Sequence, residues 1–535
     1  MKKFLLKAKL PFILVISGLL MSLPLIITEL GFLQWVSLIP ALYVLMRVVD
    51  DGKLKLRWIY GMGVLYFGAY YAISFHWFFY MYPLDFAGLN EIESIGVVML
   101  ACFGLGLLQA VQSAVAFVLY AIISRTKLFS DKKFLHSIII AALFVVLEWW
   151  QTIGWWGVPW ARIPLGQIDA TLLVRSSAIF GSYFVTFAVV LVNAFIALAI
   201  FKNGLKRSCA VAAISVFCLN LSLGLAVTLT YRENGEKVVA AAAQGNISSK
   251  EKWDPSVDSR QTLKDIYGDL TEKAAQDGAE IVVWPETALP VTLFAHKDFV
   301  DYLSDLAKDN EVTIITSAFT TDETGENKYN SIIEVKPDGS FGETIYSKQK
   351  LVPFGEYVPM RSLVTLLVPS LNKINMLDSD LTPGEESVVI ESEVGTLGFC
   401  LCFDSIYENV TLESISNGAE LIMISTNDSW FSDSAALDMH NGQARLRAIE
   451  NGRYVVRSAN TGISSVIDPL GNVKKDLGAL ERGHIVSEVY MREQRTVYSY
   501  IGNTFVYICI ALVSIAFCCF VIEKTKTLKK HDLEK

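Results

Sequence analysis

Eight long apolar runs constrain this chain more than any other feature, because each approaches the ~20 residues a helix needs to cross a bilayer. Seven crowd into the first 231 residues, at 10–28, 30–46, 58–82, 94–124, 134–147, 176–201 and 208–231, and the eighth is 496–522. The run 30–46 is short, and 134–147 must extend past Glu148 to span. The first run is not a cleavable signal peptide: no small-residue cleavage site follows it, and Leu30 begins another span almost at once. Charged residues make up 19% of the 535 positions, against roughly 25% in soluble proteins. That deficit excludes a disordered, collagenous or disulfide-stapled chain, and also a wholly soluble enzyme. The net charge of -8 gives no reason to expect a nucleic acid partner. Six of the eight cysteines (Cys102, Cys209, Cys218, Cys509, Cys518 and Cys519) lie in apolar runs, where a thiol is usually a small hydrophobe.

Loop charges orient the spans. One set of connections carries Lys2, Lys3, Lys7 and Lys9, then Arg47 to Arg57, Arg125 to Lys133, and Lys202 to Arg207, and ends with the basic tail from Lys524. The opposite short loops hold only Arg162 and Arg175 among the basic residues, beside Glu29, Asp85, Glu91 and Glu93. This alternation places both termini in the cytoplasm and the polar block 232–495 outside it. The expected organisation is a seven-span domain over 1–231, an extracytoplasmic domain over 232–495, a closing span over 496–522 and a basic cytoplasmic tail over 523–535. Trp149, Trp150, Trp155, Trp156 and Trp160 cluster at the outer end of the fifth span. They read either as an interfacial aromatic belt or as a rim where lipid chains enter a site, with Glu148 at its edge.

From Val238 the pattern changes to short β-branched or small apolar runs alternating with amphipathic helices. Strands are expected at 238–243, 281–284, 312–316, 331–335, 394–402, 421–425, 454–459 and 463–467. Leu263, Ile266, Tyr267 and Leu270 recur at helical spacing, as do Phe299, Leu303 and Leu306, and a helix through 443–451 precedes the strand at Tyr454. Strand and helix alternating over this length make one α/β domain with its own core.

Three segments in that domain carry chemistry. Trp284-Pro-Glu-Thr287 follows a buried strand, Tyr346 to Glu356 contains Lys348 before Leu-Val-Pro-Phe-Gly-Glu, and Leu397 to Asp404 ends a strand with a thiol at the turn. Singly, each has an ordinary explanation: Glu286 as a solvated loop carboxylate, Lys348 as a surface lysine, Cys402 as a buried thiol. Together they make a coherent set. A thiol with a pKa of about 8.5 needs a base, which Glu286 supplies. A tetrahedral oxyanion needs a fixed positive donor, which Lys348 supplies along with a backbone N–H near Cys402. Cys400 and Cys402 sit on the same face of one strand, and position at the strand end favours Cys402. The six histidines are scattered, and Cys-x-Cys has no partner pair, so no metal site is read.

In order and spacing, Glu286, Lys348 and Cys402 resemble the triad of the nitrilase (carbon-nitrogen hydrolase) superfamily. The whole chain resembles its membrane-embedded branch, the apolipoprotein N-acyltransferases. The likeness includes Gln244-Gly-Asn-Ile247 with Trp253 after it, Trp284-Pro-Glu-Thr-Ala288 and Leu351-Val-Pro-Phe-Gly-Glu356. It continues with Asn427-Asp-Ser-Trp-Phe431, His440, Ala444-Arg-Leu-Arg-Ala448 and Arg457-Ser-Ala-Asn-Thr-Gly462. In the membrane half, Glu148-Trp149, Pro159-Trp160 and Gly166-Gln167 share it. The resemblance implies an α-β-β-α sandwich outside the bacterial inner membrane, with Glu286 as base, Lys348 as oxyanion stabiliser and Cys402 as nucleophile. It also implies Glu356 as a supporting carboxylate, and Trp253 and Trp430 on mobile arms over the site. The family commonly has Cys-Tyr-Glu at the nucleophile, where this chain has Cys402-Phe403-Asp404: Asp404 is one methylene shorter and Phe403 lacks a hydroxyl.

The implied reaction passes an acyl group from a membrane phospholipid through a Cys402 thioester to the N-terminal diacylglyceryl-cysteine of an apolipoprotein, with no dissociable cofactor. Two other readings use the same residues differently. In a membrane-tethered amidase, water would resolve the thioester, but eight spans are excessive for a soluble-substrate hydrolase. In a transporter with a catalytically silent outer domain, the spans would carry an ionisable relay, but only His76, His136 and Glu148 are available.

Overall fold

The computed structural model describes residues 2–84, 89–248, 251–252, 259–362, 366 and 380–533. It divides into a helical unit (Met1–His76, Met99–Thr230 and Ile501–Lys535) and an α/β unit (Trp77–Val98 and Tyr231–Tyr500).

Among the described residues, six helices of the chain are long and apolar enough to cross a membrane: Thr28–Asp51, Glu91–Ser124, Lys133–Trp150, Ser182–Phe201, Asn203–Thr230 and Thr504–Thr527. The run expected at 10–28 overlaps the shorter apolar helix Lys9–Leu25. The run expected at 58–82 is α-helical only over Leu56–Ser74 and continues as a 3-10 turn, His76–Met81. Glycine interrupts two further runs. Gly181 (φ 76°) separates Ser177–Phe180 from Ser182–Phe201, and Gly502 (φ 54°) precedes Thr504–Leu533. Small residues bring the helices close. A Cβ on Gly63 would stand 2.8 Å from Ala114, and one on Gly18 would meet the Tyr66 carbonyl.

The α/β unit contains two sheets. The first takes β1 (Glu236–Gln244), β2 (Ile281–Val283), β3 (Leu289–Thr292), β4 (Thr313–Thr321), β5 (Lys328–Val335), β6 (Tyr346–Ser347) and the late strand β13 (Gly483–Met491), in the order β13-β1-β2-β4-β5-β6 with β3 also on β4. The second takes β7 (Ile390–Ser392), β8 (Gly395–Leu401), β9 (Leu421–Thr426), β10 (Val455–Ala459), β11 (Ser464–Ile467) and β12 (Val473–Leu477), in the order β12-β11-β10-β9-β8-β7. Strands β1, β2 and β4 run parallel, as do β8, β9 and β10.

Period-two alternation sorts the side chains into layers. In the first sheet, Ala240, Ala242, Val283 and Ile315 face Phe399, Leu401, Met423 and Val456 of the second, forming the core between the sheets. The alternate residues Ala241, Ala243, Val282 and Ile314 pack with Tyr267 and Leu270 of helix α1 (Ser259–Gln276) and with Phe299 and Leu303 of α2 (Lys297–Asn310). Helix α3 (Glu408–Ser416) lies on β8 and α4 (Ala435–Asn451) on β10. The layers run helix, sheet, sheet, helix, the sandwich implied by the resemblance.

Each strand expected from the sequence is present within a few residues. Strands β3, β6, β7, β12 and β13 were not expected. Of these, β13 matters most, because it pairs along all of β1 from Glu236↔Met491 to Gln244↔Gly483.

Candidate active site

Parallel strands deliver their C-terminal ends to one side of the sandwich, where α/β sites tend to form. Strand β2 leads into Glu286, β8 into Cys402, β9 into Asn427 and Asp428, and β10 into Asn460.

The glutamate is held through its own turn. Trp284 is fully buried, stacked on Tyr267 at 4.9 Å, and donates from its indole to Thr271 Oγ1 at 3.0 Å. Thr287 stands at φ 46° and donates its N–H to Ser317 Oγ at 3.1 Å. Lys252, buried at 4% exposure, donates to the Glu286 carbonyl at 3.1 Å and to Thr287 Oγ1 at 2.8 Å. Burial pushes its ammonium down to about 7, against the pull of Glu286. The carboxylate itself accepts Lys348 Nζ at 2.8 Å and Asn330 Nδ2 at 2.9 Å on Oε1, and the Asn427 N–H at 3.1 Å on Oε2.

Lys348 follows β6 and donates its own N–H to the Asn330 carbonyl at 2.9 Å. Its Nζ also reaches Glu356 Oε1 at 2.9 Å, while Glu356 Oε2 accepts the Val352 N–H at 2.8 Å. Asn330 closes the cluster by donating to Glu356 Oε1 at 3.2 Å. Burial opposes the lysine's charge, but Glu286 and Glu356 outweigh it and hold the ammonium well above the ordinary lysine range.

Cys402 sits at φ 49°, a left-handed conformation costly for a side chain with a Cβ, and is 9% exposed. Burial, reinforced by Glu286 and opposed by Lys348, pushes its thiol well up. The side chain therefore rests as the thiol. Cys400 is fully buried two residues back, and its thiol is also pushed up by burial. Asp404 is fully buried and occupied on both oxygens. Oδ2 accepts the Tyr346 hydroxyl at 2.7 Å and the Leu401 N–H at 3.1 Å, and Oδ1 accepts the N–H groups of Gln349 at 3.2 Å and Lys350 at 2.7 Å. The shorter acid thus ties the Cys402 turn to the backbone that carries Lys348. Burial pushes its carboxyl up to about 6. Phe403 packs edge-on against Tyr407 at 5.5 Å.

Glu286, Lys348, Glu356, Cys402 and Asp404 are therefore gathered in one place. Trp430 lies in the 3-10 turn Ser429–Phe431 directly after Asn427 and Asp428. The Trp77 ring meets the neighbouring Phe431 edge-on at 4.9 Å, and Ser432 Oγ donates to the Tyr80 carbonyl at 3.1 Å. Trp253 lies outside the described residues. Trp160 and Glu148 belong to the helical unit, where both are buried; Glu148 accepts the Ile163 N–H at 2.8 Å and the Thr186 hydroxyl at 2.6 Å. A cavity of about 870 Å³ in the α/β unit, bordered by Gly395, Glu420 and Arg495, lies at the opposite end of β8 from Cys402. Among the described residues, no three His, Cys, Asp or Glu side chains group as metal ligands.

Three participants carried no assigned role in the sequence reading: Asn330, Lys252 and Asn460. Asn460 accepts the Ile247 N–H at 3.2 Å and donates from Nδ2 to the Ile247 carbonyl at 2.7 Å and to Asn427 Oδ1 at 3.1 Å. It links the Gln244-Gly-Asn-Ile motif to the residue whose N–H holds Glu286. Asn330 carries no local signal: it stands in a strand, β5, of mixed polar and apolar residues.

Residues 239–497 match the carbon-nitrogen hydrolase family, and residues 17–195 match the apolipoprotein N-acyltransferase N-terminal domain. The apolipoprotein N-acyltransferase of Geobacter metallireducens is 29% identical over 509 residues, covering 93% of this chain and 92% of the relative. That of Pseudomonas syringae pv. tomato is 30% identical over 364 residues, covering 66% of this chain and 69% of the relative. Among solved structures, Nit3 of Saccharomyces cerevisiae, a member of branch 10 of the nitrilase superfamily, superposes with a TM-score of 0.38 at 19% identity, covering 50% of this chain and 93% of that one. With an N-terminal helical domain and a carbon-nitrogen hydrolase domain both matched in one chain, the protein belongs to the apolipoprotein N-acyltransferase family.

Proposed function

We propose that this chain N-acylates the N-terminal diacylglyceryl-cysteine of apolipoproteins, taking the acyl group from a membrane phospholipid through a thioester on Cys402. The observation that carries the mechanism is the cluster of buried Glu286 and Lys348 with the partly buried Glu356, beside a strained cysteine whose thiol is held protonated. Glu286 takes the Sγ proton as sulfur attacks the ester carbonyl. The oxyanion forms within reach of Lys348 and of the backbone N–H after Cys402, donors that are worth most in a dry, low-dielectric site. As the ester C–O bond breaks, Glu286 returns the proton to the departing glycerol oxygen, and a lysophospholipid leaves. The acceptor α-amine then attacks the thioester and gives its proton to Glu286, which hands it to the departing Cys402 sulfur. Both substrates are lipid-anchored, which accounts for a catalytic domain flanked by apolar helices.

In the same reading the chain crosses the bacterial inner membrane eight times. Residues 1–231 form seven spans and 496–522 the last, with both termini cytoplasmic and 232–495 outside. The basic connections at Arg47 to Arg57, Arg125 to Lys133 and Lys202 to Arg207 support that orientation. Glu356 and Asp404 support the lysine, and Trp430 belongs to an arm over the site.

The acyl-enzyme tests the proposal. Intact-mass measurement of purified protein mixed with phospholipid, without acceptor, should show one hydroxylamine-sensitive acyl group, absent in Cys402→Ala. An acyl adduct that survives Cys402→Ala refutes the assignment.

A further inference from the structure

Three sequence motifs outside the Glu–Lys–Cys cluster meet at one buried carboxylate, Asp428. Its Oδ2 accepts Arg457 Nη2 at 2.7 Å, and its Oδ1 accepts the Thr426 hydroxyl at 2.9 Å and stands 2.9 Å from His440 Nδ1. Gly462 makes room for it: a Cβ there would fall 2.2 Å from Oδ2. Asp428 and Arg457 are fully buried and His440 is 1% exposed. Burial alone would raise the carboxyl, but Arg457 and His440 outweigh it and hold Asp428 well below the ordinary carboxylate range. Taking full charges out of water is costly, so such a cluster persists only where its members satisfy one another. What the cluster acts on lies across the imidazole. His440 Nε2 is 3.2 Å from the carbonyl oxygen of Cys402 and 3.0 Å from Ser405 Oγ, which itself donates to that carbonyl at 2.7 Å.

We propose that His440 is a positioning residue for the nucleophile, carrying the fixed location of Asp428 to the Cys402 carbonyl and so aiming the Phe403 N–H at the reacting acyl group. The reason is planarity. The Cys402–Phe403 peptide is a rigid plane in which C=O and N–H point in opposite directions. Holding the carbonyl against His440 and Ser405 therefore fixes the direction of the Phe403 N–H. That N–H lies in the first turn of the 3-10 helix Cys402–Ile406, where backbone donors lack helical partners. The inference rests on Cys402 being the nucleophile.

Two isosteres separate the halves of the ring. The relay requires N–H at both ring nitrogens, Nδ1–H toward the Asp428 carboxylate and Nε2–H toward the Cys402 carbonyl; His440→Gln places an amide N–H where Nε2 stands, and His440→Asn places one only where Nδ1 stands. The experiment measures, for full-length protein in detergent, the single-turnover rate of thioester formation, the KM for phospholipid and the melting temperature. His440→Gln should acylate within ~10-fold of wild type, and His440→Asn should be slower by ~10²-fold, the scale of one lost oxyanion donor, with KM unchanged in both. Equal rates for the two variants, or rates that follow melting temperature alone, overturn the proposal. Should neither variant fold, Ser405→Ala removes the other group on the carbonyl: slower acylation at unchanged KM supports positioning, and an unchanged rate overturns it. Absence of any Cys402 thioester in the wild type would instead overturn the proposed function on which this inference depends.

Discussion

Replacing Lys348 with methionine keeps the length of the side chain but removes the ammonium that stands 2.8 Å from Glu286 and 2.9 Å from Glu356. Two carboxylates, the buried Glu286 and the partly buried Glu356, are then left sharing the Asn330 amide. Breaking a buried ion pair by removing one partner costs about 3–5 kcal/mol. At roughly 2–4 °C per kcal/mol for a domain of this size, the catalytic transition should fall by on the order of 10 °C. Adding Glu356→Gln removes the surplus negative charge, so the double variant should recover about 2 kcal/mol relative to the sum of the single effects. Activity should not recover. Lys348→Met and the double variant should both remain ~10²–10³-fold slow, because the donor to the oxyanion is still missing. Thermal unfolding followed by tryptophan fluorescence reads the first effect, and turnover reads the second. Additive stability changes would show that the three groups are not one coupled cluster, and activity restored by the second substitution would remove Lys348 from the mechanism.

Three other outcomes are expected. Cys402→Ala should abolish acyl transfer, whereas Cys400→Ala should lose ~1 kcal/mol of stability and little activity; the reverse pattern in intact-mass analysis would move the nucleophile by two residues. Asp404 has its carboxyl raised by burial from 3.8 to about 6. Its folded-state stabilisation is thus complete below 3.8 and is lost as pH rises through about 6, while the carboxylate that accepts the Gln349 and Lys350 N–H groups is lost as pH falls through the same value. The acylation rate should therefore drop on the acid side near pH 6, and Asp404→Asn should lack that limb; an identical acid limb in Asp404→Asn would assign it to another group. An impermeant thiol reagent should label a cysteine placed at Asp322 in intact cells but not one placed at Lys132, and the opposite result would invert the proposed topology.

Glu286, Lys348 and Cys402 could be picked out of the sequence because each stands beside a turn that carries its own signal: Pro285 after β2, the Pro-Phe-Gly segment after Lys348, and the break in apolar pattern after Leu401. Buried strands were legible at β2 and β4 as short, β-branched-rich runs bounded by polar residues, whereas the order of the four layers came from the resemblance and not from the pattern. Local pattern does not encode long-range pairing, so β13 was missed: its burial alternates irregularly, and it acquires strand character from the partner strand β1, more than two hundred residues earlier. Asn330 and Lys252 were silent for a related reason. Each is an ordinary polar residue until the fold places it against Glu286. In the helical unit, hydropathy located the apolar runs but not the breaks at Gly181 and Gly502, where the chain turns at positive φ.

The central claim is that an amine, and not water, receives the acyl group. Purified full-length protein should be incubated with a phospholipid labelled in its acyl chain and a synthetic diacylglyceryl-cysteine peptide, and the labelled products resolved by mass spectrometry. Label should appear in an amide on the peptide's N-terminal nitrogen, formed together with lysophospholipid and lost in Cys402→Ala. Label recovered as free fatty acid with the peptide unmodified would contradict it.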